Sequence, residues 1–162
     1  MALPIYFAAF PVTSMIIMEM AVDVDRADLG RFARRAQKLA GVSGEVAVLI
    51  TDSRGLRSLN RRFRKKDKAT DVLSFPRETG GDIAISAQIA ERNALRYGHD
   101  TCDELKILVL HGMLHLAGHD HESDQGEMAA REAALRRRLK LPDSLIGRAA
   151  GATAARASRR RA

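Results

Sequence analysis

Between Leu105 and Leu116 the chain reads LKILVLHGMLHL, apolar at nearly every position. A helix of that composition has no face to offer water, so it must be the buried centre of its domain. It carries His111 and His115, which are four residues apart and so lie one above the other on a single helical face. Gly118 follows and lets the chain leave the helix, and His121 returns from the turn. The eleven residues HGMLHLAGHDH hold four of the five histidines in the protein.

Each neutral imidazole has one donor and one acceptor, and both need partners when buried. Three such rings at this spacing are hard to satisfy by ordinary core hydrogen bonds. They form the pattern H-x-x-x-H-x-x-G-x-x-H, two rings from one helical turn and a third from the following loop. This is how three protein ligands surround a divalent transition metal and leave one position open. His111, His115 and His121 are therefore the expected ligands of zinc, or of nickel or another such ion. A water in the open position would have its pKa lowered towards neutrality. His119 stands one residue past Gly118, too early in the turn to serve as the third ligand. Asp120, next to His121, is a candidate to orient a ligand imidazole through its second nitrogen. The pattern matches the long zinc-protease motif H-E-x-x-H-x-x-G-x-x-H in all but one respect. Gly112 occupies the position of the glutamate that serves those enzymes as general base.

The rest of the chain frames this helix. Residues 15–24 (MIIMEMAVDV) read as a first strand, at a sheet edge. Asp25 caps a helix with an apolar stripe of Leu29, Phe32, Ala33, Ala36, Leu39 and Ala40, ended by Gly41 and Gly44. Residues 45–51 (EVAVLIT) are rich in β-branched side chains and read as a strand buried on both faces. Asp52 or Ser53 starts a short helix with Leu56, Leu59 and Phe63 inward. Residues 70–75 (TDVLSF) and 82–86 (DIAIS) read as a hairpin of two strands joined through Gly80-Gly81. Ser86 caps a helix over 87–97 that Gly98 ends. Asp100 or Thr101 caps the central helix, which runs to about Ala117, and Ser123 or Asp124 starts a last one to about Lys140. The expectation is a single α+β domain, a small mixed sheet packed with about five helices.

Domain limits follow. Residues 1–14 are expected to be a flexible extension, the true start being Met15 or Met18, and 15–141 the folded domain. Residues 142–162 are expected to form a basic tail without fixed structure. The first eighteen residues are apolar but lack a positive leading region and contain Pro4 and Pro11, unlike a secretory signal. No window of about 20 apolar residues is present, so no membrane span is expected. The single Cys102 excludes an internal disulfide and fits a reducing, cytoplasmic setting.

The net charge of +7 is unevenly placed. Five arginines (Arg148, Arg156, Arg159, Arg160 and Arg161) stand in the tail without an acid. Within the domain, residues 54–68 carry eight cations against the one acid Asp67. Arg61, Arg62, Lys65, Lys66 and Lys68 of this stretch are candidates for contacts to RNA phosphates. Aromatic residues make up only 4% of the chain, with no tryptophan, so backbone and shape recognition is expected over base stacking.

Three segments in order, FRKKDKATDVLSFP, GDIAIS and HGMLHLAGHDH, together closely resemble the YbeY family of endoribonucleases, bacterial rRNA maturation factors. The resemblance spans roughly residues 15–141. It implies a zinc-type metal on His111, His115 and His121, and cleavage of single-stranded RNA in maturation of the 16S rRNA 3′ end and in ribosome quality control. It therefore implies single-stranded rRNA and the ribosome or its small subunit as partners. It also gives a functional role to Arg64, the arginine of the F-R-K-K-D segment. His119 stands where the family often has tyrosine, and the arginine-rich tail is additional. The general base stays unassigned, with Asp82 and Asp120 as candidates to assist. Two rival readings are a metal-dependent hydrolase of another class, such as a peptidase, and a non-enzymatic ribosome-associated factor with a structural metal. Gly112 argues against the first. Three histidines without a cysteine argue against the second, since structural zinc sites are usually closed by four ligands.

Overall fold

The computed structural model describes residues 16–142. The expected N-terminal extension and the arginines of the tail lie outside the described residues. In chain order the elements are β1 (Ile16–Met18), α1 (Arg26–Ala40), β2 (Val46–Thr51), α2 (Ser53–Arg64), β3 (Val72–Pro76), β4 (Gly81–Ser86), α3 (Ala87–Tyr97), α4 (Thr101–Leu116) and α5 (Glu127–Leu139). The four strands form one mixed sheet in the order β1-β2-β4-β3. The β1–β2 and β2–β4 pairs are parallel, and β3 runs antiparallel to β4 as the hairpin reading expects.

Most helix ends are set by their own residues. Asp25, Asp52, Ser86 and Asp100 each accept hydrogen bonds from backbone N–H groups in the first turn that follows them. Helix α5 begins later than Ser123 or Asp124. The Asp124 carboxylate accepts from the N–H groups of Gly126 and Met128, so it caps the helix from two residues before Gly126. The first strand is likewise shorter than the 15–24 reading, because its ladder with β2 covers only Ile16 to Met18.

The faces of the sheet are unequal. On one, Ile16, Val48, Ile50, Ile83 and Ile85 join α1, α4 and α5 in the main core. On the other, Leu49, Leu73 and Ala84 pack with Leu56 of α2. Every residue of β4 is buried, including the polar Asp82 and Ser86, because it is an inner strand covered on both sides.

Helix α4 is the buried centre the sequence predicts. Ile107 through Leu114 are all buried, and α4 is in contact with α1, α3, α5, β3 and β4. At Gly112, α4 lies tight against the sheet. A Cβ built there would lie 2.8 Å from Cγ2 and 2.9 Å from Cδ1 of Ile83. The position that holds glutamate in zinc proteases thus faces the sheet here, with no room for a side chain. Gly112→Ala is expected to destabilise the protein by about 1–3 kcal/mol in urea unfolding. Combining it with Ile83→Val should recover part of that loss, and a fully additive pair would contradict the contact.

Candidate metal centre

The last turn of α4 and the loop after it assemble the histidines. Ala117 closes the helix, and Gly118 takes φ 95°, a conformation that glycine adopts without strain. The N–H of His119 then donates to the carbonyl of Leu114, and that of Gly118 to His115, a helix-ending pair of bonds that reverses the chain. The reversal returns His121 to the face of α4 carrying His111 and His115. One nitrogen from each ring lies within 4.8 Å of the others. The Nε2 atoms of His111 and His115 are 3.1 Å apart, and ring centroids stand 4.8–5.4 Å apart. His111 is buried, His115 half-buried and His121 exposed, so the group opens from the core to the surface. His119 is not part of it.

The second nitrogen of His111 is engaged by a residue that pattern reading missed. Glu132 of α5, 1% exposed, lies with its Oε2 3.0 Å from Nδ1 of His111. A carboxylate accepts, so Nδ1 carries the proton and Nε2 turns an open lone pair towards His115 and His121. Its signal in the sequence is weak: Met128, Glu132 and Leu135 share the buried stripe of α5, one carboxylate among apolar neighbours. Asp120 does not orient a ring here. Its carboxylate accepts from the N–H of Glu122 and the hydroxyl of Ser123, which fixes the loop carrying His121.

A cavity of about 760 Å³ opens over the histidines. Arg64, Lys66 and Lys68 line it. Lys65 ends α2 in a left-handed conformation (φ 55°), where the chain leaves the helix towards Lys66 and Lys68. Arg61, Arg62 and Lys65 are exposed but do not line the cavity. Arg64 is held by a bond to the carbonyl of Ser74 (2.6 Å), and the Ser74 hydroxyl donates to the carbonyl of Gly112 (3.2 Å). Through Ser74, the guanidinium is tied to the helix that bears His111 and His115. Asp71 also lines the cavity, and burial pushes its carboxyl above the usual range.

Asp82 is elsewhere. Neighbouring strand residues point to opposite faces, and Ile83 meets α4, so Asp82 faces away from it. It does not share the cavity. It is fully buried, with one oxygen 3.4 Å from Arg77, and burial pushes its pKa up to about 6 against the pull of that cation.

Three imidazole nitrogens within 4.8 Å of one another, the His111–His115 pair at 3.1 Å against the ~3.3 Å between tetrahedral ligands bound at 2.0–2.1 Å, fit a zinc-type ion. Comparison with known proteins places the arrangement in a family. The family model for "Endoribonuclease YbeY" matches residues 19–140. The chain belongs to the YbeY endoribonuclease family. An endoribonuclease YbeY of Koribacter versatilis is 57% identical over 137 residues, covering 83% of this chain and 90% of the relative. That of Solibacter usitatus is 51% identical, covering 76% and 85%. Among solved structures, the solution structure of TM1509 from Thermotoga maritima is similar with a TM-score of 0.53 and 30% identity, covering 73% of this chain and 84% of that one. The YbeY match spans strands β2 to β4, the histidine loop and Glu132 alike.

Burial, followed by the neighbouring His111 and His121, lowers the pKa of His115 from 6.5 to about 4. In the unfolded chain the ring takes up a proton near pH 6.5, which the folded chain refuses until about 4. Its contribution to stability is therefore complete above pH 6.5 and is lost as pH falls through about 4. In the chelator-treated protein, an NMR titration should place the His115 ring near 4. A midpoint near 6.5 would contradict the packing of the three rings.

Proposed function

We propose that this chain is a metal-dependent endoribonuclease that cleaves single-stranded RNA in the cytoplasm. Its substrate would be rRNA at the 16S 3′ end, met on the ribosomal small subunit, and it would serve ribosome quality control as well as maturation. The observation that carries this reading is the cavity shared by three converging imidazoles and the cations Arg64, Lys66 and Lys68. Family membership supports the reaction class.

His111, His115 and His121 would hold one zinc ion, or nickel or another divalent transition metal. Such an ion supplies Lewis-acid chemistry at a phosphoryl oxygen and lowers the pKa of water. The residues of the chain do the rest. Glu132 keeps His111 in the tautomer that presents Nε2. Arg64, fixed through Ser74 to the histidine helix, stabilises the charge that builds at phosphorus in the transition state. Lys66 and Lys68 draw the phosphate backbone into the cavity, while Arg61, Arg62 and Lys65 extend the basic surface beside it. A peptidase reading finds no support in the geometry, because the position of the protease glutamate is pressed against Ile83. A purely structural metal finds none either, since the group among the described residues has three ligands and stands at an open cavity.

Two variants separate the roles. His115→Ala should lose bound metal and RNA cleavage together. Arg64→Ala should keep its metal, measured by elemental analysis, while its kcat on a single-stranded RNA falls on the order of 10²-fold. Wild-type cleavage by purified Arg64→Ala would remove Arg64 from the reaction. Glu132→Gln, which keeps the size of the side chain, should weaken metal binding about 10–100-fold in competition with a chelator. Unchanged affinity would limit Glu132 to packing.

A further inference from the structure

The cavity does not end at the histidines. It continues to the side chains of Asn93 and Tyr97 of α3, four residues apart and so on one helical face. Neither contributes to the histidine group or to the cationic rim. Tyr97 is 39% exposed, and among the described residues only Leu95 joins it as an exposed large hydrophobic side chain.

The ring is braced from behind. His99, the one histidine outside HGMLHLAGHDH, lies nearly parallel to Tyr97, with an interplanar angle of 13° and centroids 6.5 Å apart. Its Nε2 meets Oε2 of Glu104 at 2.5 Å. Glu104 is fully buried, and its other oxygen accepts from the amide nitrogen of Asn93 at 3.3 Å. One buried carboxylate therefore fixes both the ring beneath Tyr97 and the amide beside it. Because that carboxylate accepts, one of the two N–H bonds of the Asn93 amide is committed to it, which orients the amide and leaves its carbonyl oxygen as an acceptor for a ligand. The guanidinium of Arg96 lies 5.4 Å from the Tyr97 centroid and adds a cation at the platform.

We propose that this end of the cavity is a nucleobase subsite. A base of the RNA strand stacks on Tyr97 and directs a donor at its edge to the Asn93 carbonyl, while a phosphate of the same strand lies at the histidine and Arg64 end. Only an unpaired base has a face free to stack, so the subsite selects for single strands. Holding a partly exposed ring and an amide rigid through a buried Glu–His pair lowers the ordering cost of binding. This inference rests on the proposed RNA substrate and names how that substrate is gripped.

The test is equilibrium binding by fluorescence anisotropy, using the full-chain holoprotein and a labelled 2′-O-methyl single strand. The strand carries one abasic position, moved along it in successive oligonucleotides. Tyr97→Leu should weaken binding on the order of tenfold, whereas Tyr97→Phe should bind as the wild type does. One abasic position should weaken wild-type binding by a similar factor and add nothing to the loss in Tyr97→Leu. Equal binding by Tyr97→Leu and wild type, with circular dichroism unchanged, would overturn the subsite and leave the nuclease reading intact. An abasic loss of the same size in both proteins would overturn it too. Failure of the wild type to bind the intact strand would overturn both the subsite and the RNA substrate.

Discussion

A helix that is apolar on every side has to be surrounded, and the enclosure of α4 sets the rest of this structure. The sheet closes one flank, so tightly at Gly112 that Ile83 leaves no room for a Cβ. Helices α1, α3 and α5 are also in contact with it. The polar atoms of its last turn cannot reach bulk water on the core side, so they have to be satisfied by design. Glu132 meets one nitrogen of His111 there. On the open side the remaining nitrogens face one another and the cavity. Burial, which would otherwise penalise the imidazoles, keeps His115 neutral and available as a ligand.

The same packing explains why a protease-like spacing of histidines belongs to a different chemistry. In H-E-x-x-H the glutamate beside the first histidine is turned towards substrate. Here that position is turned towards the sheet, and the charged partner in the cavity is a cation. Arg64 comes from α2, on the other side of the sheet from α4, and reaches the cavity past the edge strand β3, where Ser74 holds it. A centre of three imidazoles flanked by Arg64, Lys66 and Lys68 suits an anionic phosphodiester better than a neutral peptide.

Much of this was legible in the sequence. Among the described residues, four of the five helices begin at a residue whose side chain caps the first turn, and α3 spans the residues its Ser86 cap and Gly98 stop imply. The three histidines were legible because local spacing and one glycine bring them together. What depends on how distant elements pack was not. Glu132 reads as one more charge in EMAAREAALRRRL until α5 is laid against α4. Asp82 reads as a carboxylate near the site until the sheet shows it facing the other way. Asp120 lies beside His121 in the chain, but the tight loop it stabilises uses its oxygens. The joining of Tyr97 and Asn93 to the histidine cavity depends on how α3 packs against α4, which no local pattern encodes.

The central claim is that one metal ion on His111, His115 and His121 supports RNA cleavage. Its most direct test is to strip the protein with a chelator, return zinc in steps, and follow both bound metal and the initial rate on a single-stranded RNA. The account predicts a negligible rate in the stripped protein, a rise in proportion to bound zinc, and a plateau at one ion per chain. Full-rate cleavage by protein shown to be metal-free would contradict it.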